Sequence, residues 1–186
     1  MTIALVAIAI FVVIVLWGVA VYNKLVRLRA LVREAFSGIN VQLRRRADLI
    51  PNLVETVKGY ATHERETLEA VIAQRGNAVA AKGVEATAQA DAMMTGLLGK
   101  LMAVAEAYPE LKADANFRKL QDELTATENE LQAARRYYNA TARDLNTKVQ
   151  SVPDVIIAGP TGFTTEPYYE DSDPAIQSAP KIDFAS

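Results

Sequence analysis

Residues 117–149, FRKLQDELTATENELQAARRYYNATARDLNTKV, decide the fold. Apolar or small side chains recur at Phe117, Leu120, Leu124, Thr127, Leu131, Ala134, Tyr138, Thr141, Leu145 and Val149. The steps alternate between three and four, with one late step of four. A helix puts residues at those offsets on one face, because it completes a turn every ~3.6 residues. Charged and polar residues fill the other faces. This is an a/d-type seam, the mark of a long helix that packs along its length on other helices. Just ahead of it, Asp114 and Asn116 are candidate N-caps, short polar side chains able to accept from the first free N–H groups.

The same spacing extends toward the N-terminus. Leu25, Leu28, Val32, Phe36, Ile39 and Leu43 form one stripe. Ile50, Leu53, Val54, Val57, Tyr60, Ala61, Leu68, Val71 and Ile72 form a second, with Gly59 weakening that helix slightly. Met94, Leu97, Leu98, Leu101, Val104 and Ala105 form a third, in a helix expected over residues 85–107. Pro51 has no N–H and clashes with the preceding turn, and Asp48 is a possible N-cap, so a break or kink is expected near 48–51. The Ala-rich stretch from Gly76 to Gly83 reads as a helix end or a small-residue packing seam. Tyr108 and Pro109 open a connection. No period-two segment competes before Val155–Ile157. The fold class is therefore all-α, an antiparallel bundle of three to four long helices.

The first stripe begins after Tyr22 with no Gly or Pro break between them, and ahead of it residues 3–21, IALVAIAIFVVIVLWGVAV, are an unbroken apolar run. At ~1.5 Å per residue it is long enough for a hydrocarbon core of ~30 Å. Trp17 and Tyr22 stand where interfacial aromatic anchors are expected. A cleaved signal peptide is the rival, with Gly18 and Ala20 as a small-residue site. However, no Lys or Arg precedes the run, and it exceeds the usual ~7–15-residue apolar core. The expectation is a retained transmembrane helix over residues 1–22, contacting lipid through residues 3–22 and running into the bundle as one rod. Beyond it lie Lys24, Arg27, Arg29, Arg33, Arg44, Arg45 and Arg46 against Glu34 alone. That asymmetry predicts a cytoplasmic C-terminal side and an outer N-terminus.

The bundle is expected over residues 23–152. Residues 153–169 are an apolar Pro/Gly segment able to pack on the bundle or lie on the membrane. Residues 170–186, rich in acids against the single Lys181, read as a disordered acidic tail.

Composition narrows the chemistry. The chain of 186 residues has no cysteine and one histidine, His63. Disulfides, thiolate metal sites and Cys nucleophiles are excluded, and multi-His sites with them. His63-Glu64-Arg65-Glu66-Thr67 begins like a zinc-protease motif but has Thr67 where the second His belongs. Gly96-Leu97-Leu98-Gly99-Lys100 lacks the spacing and the hydroxyl of a phosphate loop. Glu55, Glu64, Glu66 and Glu69 read as a solvated face. No metal, no cofactor and no catalytic residue is assigned, and the chain is read as no enzyme. A net charge of −2 gives no reason to expect nucleic acid as a partner. The interaction candidates are Arg44, Arg45, Arg46, Asp48, Asn52 and Glu55, as a polar surface around Pro51, and Arg135, Arg136 and Asn139 near the other end. Lys24, Arg27 and Arg29 are the headgroup contacts, since Arg44 stands roughly 33 Å from Tyr22 along a straight helix, well beyond a Debye length of ~8 Å.

Several of these stretches resemble one family. Tyr22–Val26 (YNKLV), Arg45–Tyr60 (RRADLIPNLVETVKGY), Arg136–Ala140 (RYYNA), Asn146 and the Pro/Gly segment with Phe163 are similar, in kind and order, to the LemA family. The likeness covers about residues 20–170, and its longest block is far more specific than a short motif. It implies a bacterial inner-membrane protein with one N-terminal span, a helical bundle and a small N-terminus outside. It implies no established enzymatic activity. The functional expectation is a membrane-anchored interaction or scaffold protein forming homo-oligomers, with other membrane proteins as further partners. The alternative is an accessory subunit of a membrane enzyme or of an envelope-stress system.

Overall fold

The computed structural model describes residues 1–61 and 63–169. The expected acidic tail, residues 170–186, lies outside them. The described residues form six helices and no strand: α1 Thr2–Lys58, α2 Arg65–Ala80, α3 Val84–Ala107, α4 Pro109–Ala113, α5 Ala115–Gln150 and α6 Val155–Ala158. The chain is all-α, with the packing of a helical bundle. The described residues divide into two compact units, one of Met1–Val41 with Glu130–Tyr168 and one of Gln42–Asn129 with Tyr169.

In the first unit, α1 supplies the buried Val21, Leu25, Val32, Ala35 and Ile39, while α5 supplies Leu131, Tyr138, Ala142, Leu145 and Val149. Phe36 meets Tyr138, ring centroids 5.9 Å apart. Ala158 and Phe163 are buried with them. The residues of the apolar run before Trp17 are exposed throughout, and the helix is long and apolar enough there to cross a membrane.

The second unit has its own core. Ile50, Leu53, Val54 and Val57 of α1 pack with Leu68 and Val71 of α2, Met94, Leu98, Leu101 and Ala105 of α3, Leu111 of α4 and Phe117 of α5. These follow the sequence stripes closely. Tyr60 and Ile72 depart from them and are exposed. The turn into α3 rests on Gly83, whose φ of +82° is a conformation L side chains rarely adopt. Asp114 caps α5, its Oδ1 accepting from the Phe117 N–H at 2.8 Å.

Two expectations are corrected. No break occurs at 48–51: α1 runs through Pro51 to Lys58, and Asp48 is an interior residue, not a cap. The missing N–H of Pro51 should orphan the carbonyl four residues back, that of Ala47. Arg75 of α2 takes that place, its Nε donating to Ala47 O at 2.7 Å. The second helix does not pass through Gly59 either. The Tyr60 and Ala61 N–H groups both reach Val57 O, closing α1, and α2 starts afresh at Arg65. The connection at Tyr108–Pro109 is itself short helix, with Pro109 at its first position.

Candidate functional site

The most constrained polar cluster lies inside the second unit. Arg46 sits at the seam spacing between Leu43 and Ile50 and is only 2% exposed. Its Nη2 donates to Asp91 Oδ1 and, at 3.4 Å, to Asp91 O; its Nη1 donates to Glu128 Oε2 at 2.9 Å and to Thr95 Oγ1 at 3.2 Å. Asp91 is 1% exposed, and its other oxygen accepts from the Tyr169 hydroxyl at 2.6 Å. A buried guanidinium is tolerated only when its fork is filled, and here two carboxylates, a carbonyl and a hydroxyl fill it.

The residues expected to form a polar surface around Pro51 divide by exposure. Arg44, Arg45, Asp48, Asn52 and Glu55 are exposed along α1. Arg45 donates to Gln42 Oε1 at 3.4 Å, and Arg75 approaches Asp48 to 3.9 Å. Arg46 does not belong to that surface, because burial and its acid partners hold it in the interior. Tyr60 is exposed and donates to Asp114 Oδ2 at 3.1 Å. That hydrogen bond raises the tyrosine hydroxyl above its ordinary pKa, while the Phe117 N–H, first among its causes, lowers that of Asp114.

In the first unit, Arg136 is exposed and Arg135 and Asn139 are half-buried. The geometry there is a strap. Asn146 pairs with the backbone of Glu166 in both directions, donating at 2.9 Å and accepting at 2.8 Å. The buried Tyr138 donates to Pro167 O at 2.8 Å. Phe163 stacks edge-on against Tyr22, centroids 5.7 Å apart, and Arg29 lies over its face at 4.4 Å. Arg29, expected at the headgroups, thus spends its cationic face on an aromatic ring. Lys24 and Arg27 line a shallow hollow with Asn23, Leu28 and Leu31.

Asp91, Glu128, Thr95, Arg75 and Tyr169 were not legible as site residues. Asp91 carried one signal: it falls on the buried stripe of α3, between Ala88 and Met94. His63 is exposed, and among the described residues no group of three or more His, Asp or Glu stands where it would hold a metal.

A family model described as "LemA family" matches residues 35–184. The chain belongs to the LemA family. Among the relatives of this LemA-family chain is magnetosome protein MamQ 2 of Paramagnetospirillum magneticum, 25% identical over 176 residues, covering 81% of this chain and 65% of that protein. Protein LemA of Metamycoplasma hominis is 27% identical over 129 residues, covering 68% of this chain and 58% of its own length. Magnetosome protein MamQ of Magnetospirillum gryphiswaldense is 24% identical over 176 residues. The chain spans 58–65% of the length of these relatives. The stretches that carried the family likeness are mostly structural. Arg46 fills the buried cluster, Pro51 depends on Arg75, and Tyr138 and Asn146 hold the strap.

Proposed function

We propose that the chain is a single-pass, membrane-anchored helical interaction protein that assembles with itself and catalyses nothing on its own. The supporting observation is that α1 joins an apolar run, exposed up to Leu16 and long enough to cross a bilayer, to a packed seam in the same helix. The lipid anchor and the folded domain are thus one rod, and confinement to a membrane raises the effective concentration at which weak faces meet. Exposed apolar side chains stand on the second unit: Met93 on α3 and Ile72 and Val79 on α2 are all more than half exposed. The names of its relatives state no reaction and no substrate. In this reading the N-terminus is outside and the domain is cytoplasmic in a bacterial inner membrane.

The test is the native mass of the full-length chain in lipid nanodiscs. One uniform species several protomers in size supports assembly. Met93→Glu, and separately the pair Arg44→Ala with Arg45→Ala, should reduce that mass while leaving helicity intact. A monomer in all cases, co-purifying with a second protein, would instead favour the accessory-subunit reading. Arg46 is unsuited to this test, because its loss acts on stability first.

A further inference from the structure

We infer that the segment from Val152 to Phe163, with α6 at its tip, dips into the bilayer beside α1 and gives the protein a second membrane contact. This rests on the reading that residues 3–21 span the membrane.

Position is the first argument. Ile157 Cδ1 lies 3.6 Å from where a Cβ on Gly18 would stand. Gly18 is inside the apolar run, ~6 Å on the membrane side of Tyr22 and ~9 Å on the membrane side of Lys24, the first charged residue. Trp17 and Gly18 are half-buried, whereas every residue before them is exposed. Phe163 then meets Tyr22 and lies under Arg29, at the level where aromatic and cationic anchors belong. If residues 3–21 are in lipid, α6 has no place to be except the acyl–headgroup boundary.

The chemistry of the segment fits that depth. Non-helical backbone is tolerated there only when its polar groups are satisfied by protein. Every N–H from Val155 to Phe163 donates internally: to Ser151 O, Pro153 O, Asp154 O (twice), Val155 O, Ile157 O, Gly159 O and Ala158 O, with Pro160 having none to give. The Thr161 hydroxyl is returned to Ile157 O and that of Ser151 to Thr147 O. The single charge between Ser151 and Phe163 is Asp154, which is 7% exposed and paired with Lys148 Nζ at 2.5 Å. What remains facing outward is apolar: Val152 is 82% exposed, Ile156 62% and Val155 39%. Such a surface, with its polarity folded inward, suits the ~5–10 Å penetration of interfacial elements.

The chain has no native cysteine, so single-cysteine variants label uniquely. Val152→Cys, Ile156→Cys, Val13→Cys and Ser37→Cys would each be spin-labelled in the full-length chain, reconstituted in phosphatidylethanolamine–phosphatidylglycerol vesicles. All four positions are exposed, so the label should not disturb the fold, and circular dichroism checks this. Collision rates with oxygen, which concentrates in lipid, are compared with those of a water-soluble nickel chelate. The oxygen-to-nickel ratio at positions 152 and 156 should exceed that at Ser37 several-fold and approach that at Val13. Lipid-like values at Val13 with Ser37-like values at 152 and 156 overturn the proposal while sparing the anchor. Exclusion of both reagents at 152 and 156 also overturns it, by showing a protein contact. Nickel access at Val13 overturns the anchor reading and this proposal together.

Discussion

Arg46 and Tyr138 show how single residues carry the two units. Arg46 is charged, and its neighbours Arg44 and Arg45 suggest a solvated run. At seam spacing, however, it points inward to Asp91 and Glu128. Removing one partner of a buried pair strands the other and typically costs about 3–5 kcal/mol, whereas removing both in favour of apolar groups costs far less. Arg46→Ala and Asp91→Ala should therefore each lower the denaturant midpoint sharply, and Arg46→Met with Asp91→Leu should recover most of the loss. Additive losses in the double variant would count against the pair as described. Tyr138 makes a pH prediction. Burial, and then the nearby Glu166 carboxylate, pushes its hydroxyl up to about 12. The fold favours the neutral phenol, so the contribution is complete below pH ~10, where the unfolded tyrosine also keeps its proton, and is lost as pH rises from ~10 through ~12. Tyr138→Phe should cost about 1 kcal/mol at neutral pH through its bond to Pro167 O. It should also flatten stability across that alkaline window in chemical denaturation at a series of pH values. A variant whose alkaline loss parallels the native protein would place the titration elsewhere.

At the scale of elements, Pro51 separates what was legible in the sequence from what was not. The seams of α3 and α5 and the apolar run of α1 are local patterns, and the helices formed where the spacing placed them, Val84–Ala107 against an expected 85–107. Asp114 likewise declared its cap locally. The break at Pro51 was a local inference too, and it failed because the compensation is remote. Arg75, on another helix, donates to the carbonyl that Pro51 leaves open, and the pieces stay one helix. The acid partners of Arg46 were illegible for the same reason, being supplied by α3 and α5. The strap was half legible: its composition suggested packing or lipid, but Asn146 and Tyr138 as its holders depend on tertiary geometry. The Pro51–Arg75 account is open to a double-mutant cycle. Arg75→Ala alone should cost about 1–3 kcal/mol by leaving the buried Ala47 carbonyl unsatisfied. With Pro51→Ala, which restores an N–H to that carbonyl, the same change should cost much less. Equal costs in both backgrounds would mean that Arg75 acts through Asp48 or through packing alone.

For the whole molecule, the decisive quantity is the distribution of charge about the apolar run. Neither Met1 nor Thr2 carries a charged side chain, whereas Lys24, Arg27, Arg29 and Arg33 follow the run within a short stretch of α1. Basic residues close to a span resist translocation more than distant ones do. Lys24 and Arg27 are exposed, while Arg29 is committed to Phe163 in the folded state. The orienting effect acts during insertion, before that stacking exists, so all four should count. Thr2→Cys should react with a membrane-impermeant thiol reagent in intact cells with the outer membrane permeabilised, and Arg44→Cys should react only after the inner membrane is opened. Replacing Lys24, Arg27, Arg29 and Arg33 by Gln while placing three Lys ahead of Ile3 should reverse that pattern in a substantial share of the molecules. Labelling of Arg44→Cys in intact cells of the native background would contradict the proposed orientation. The double contact inferred for α1 and α6 is independent of this outcome, because both sit on the same bilayer whichever face the domain occupies.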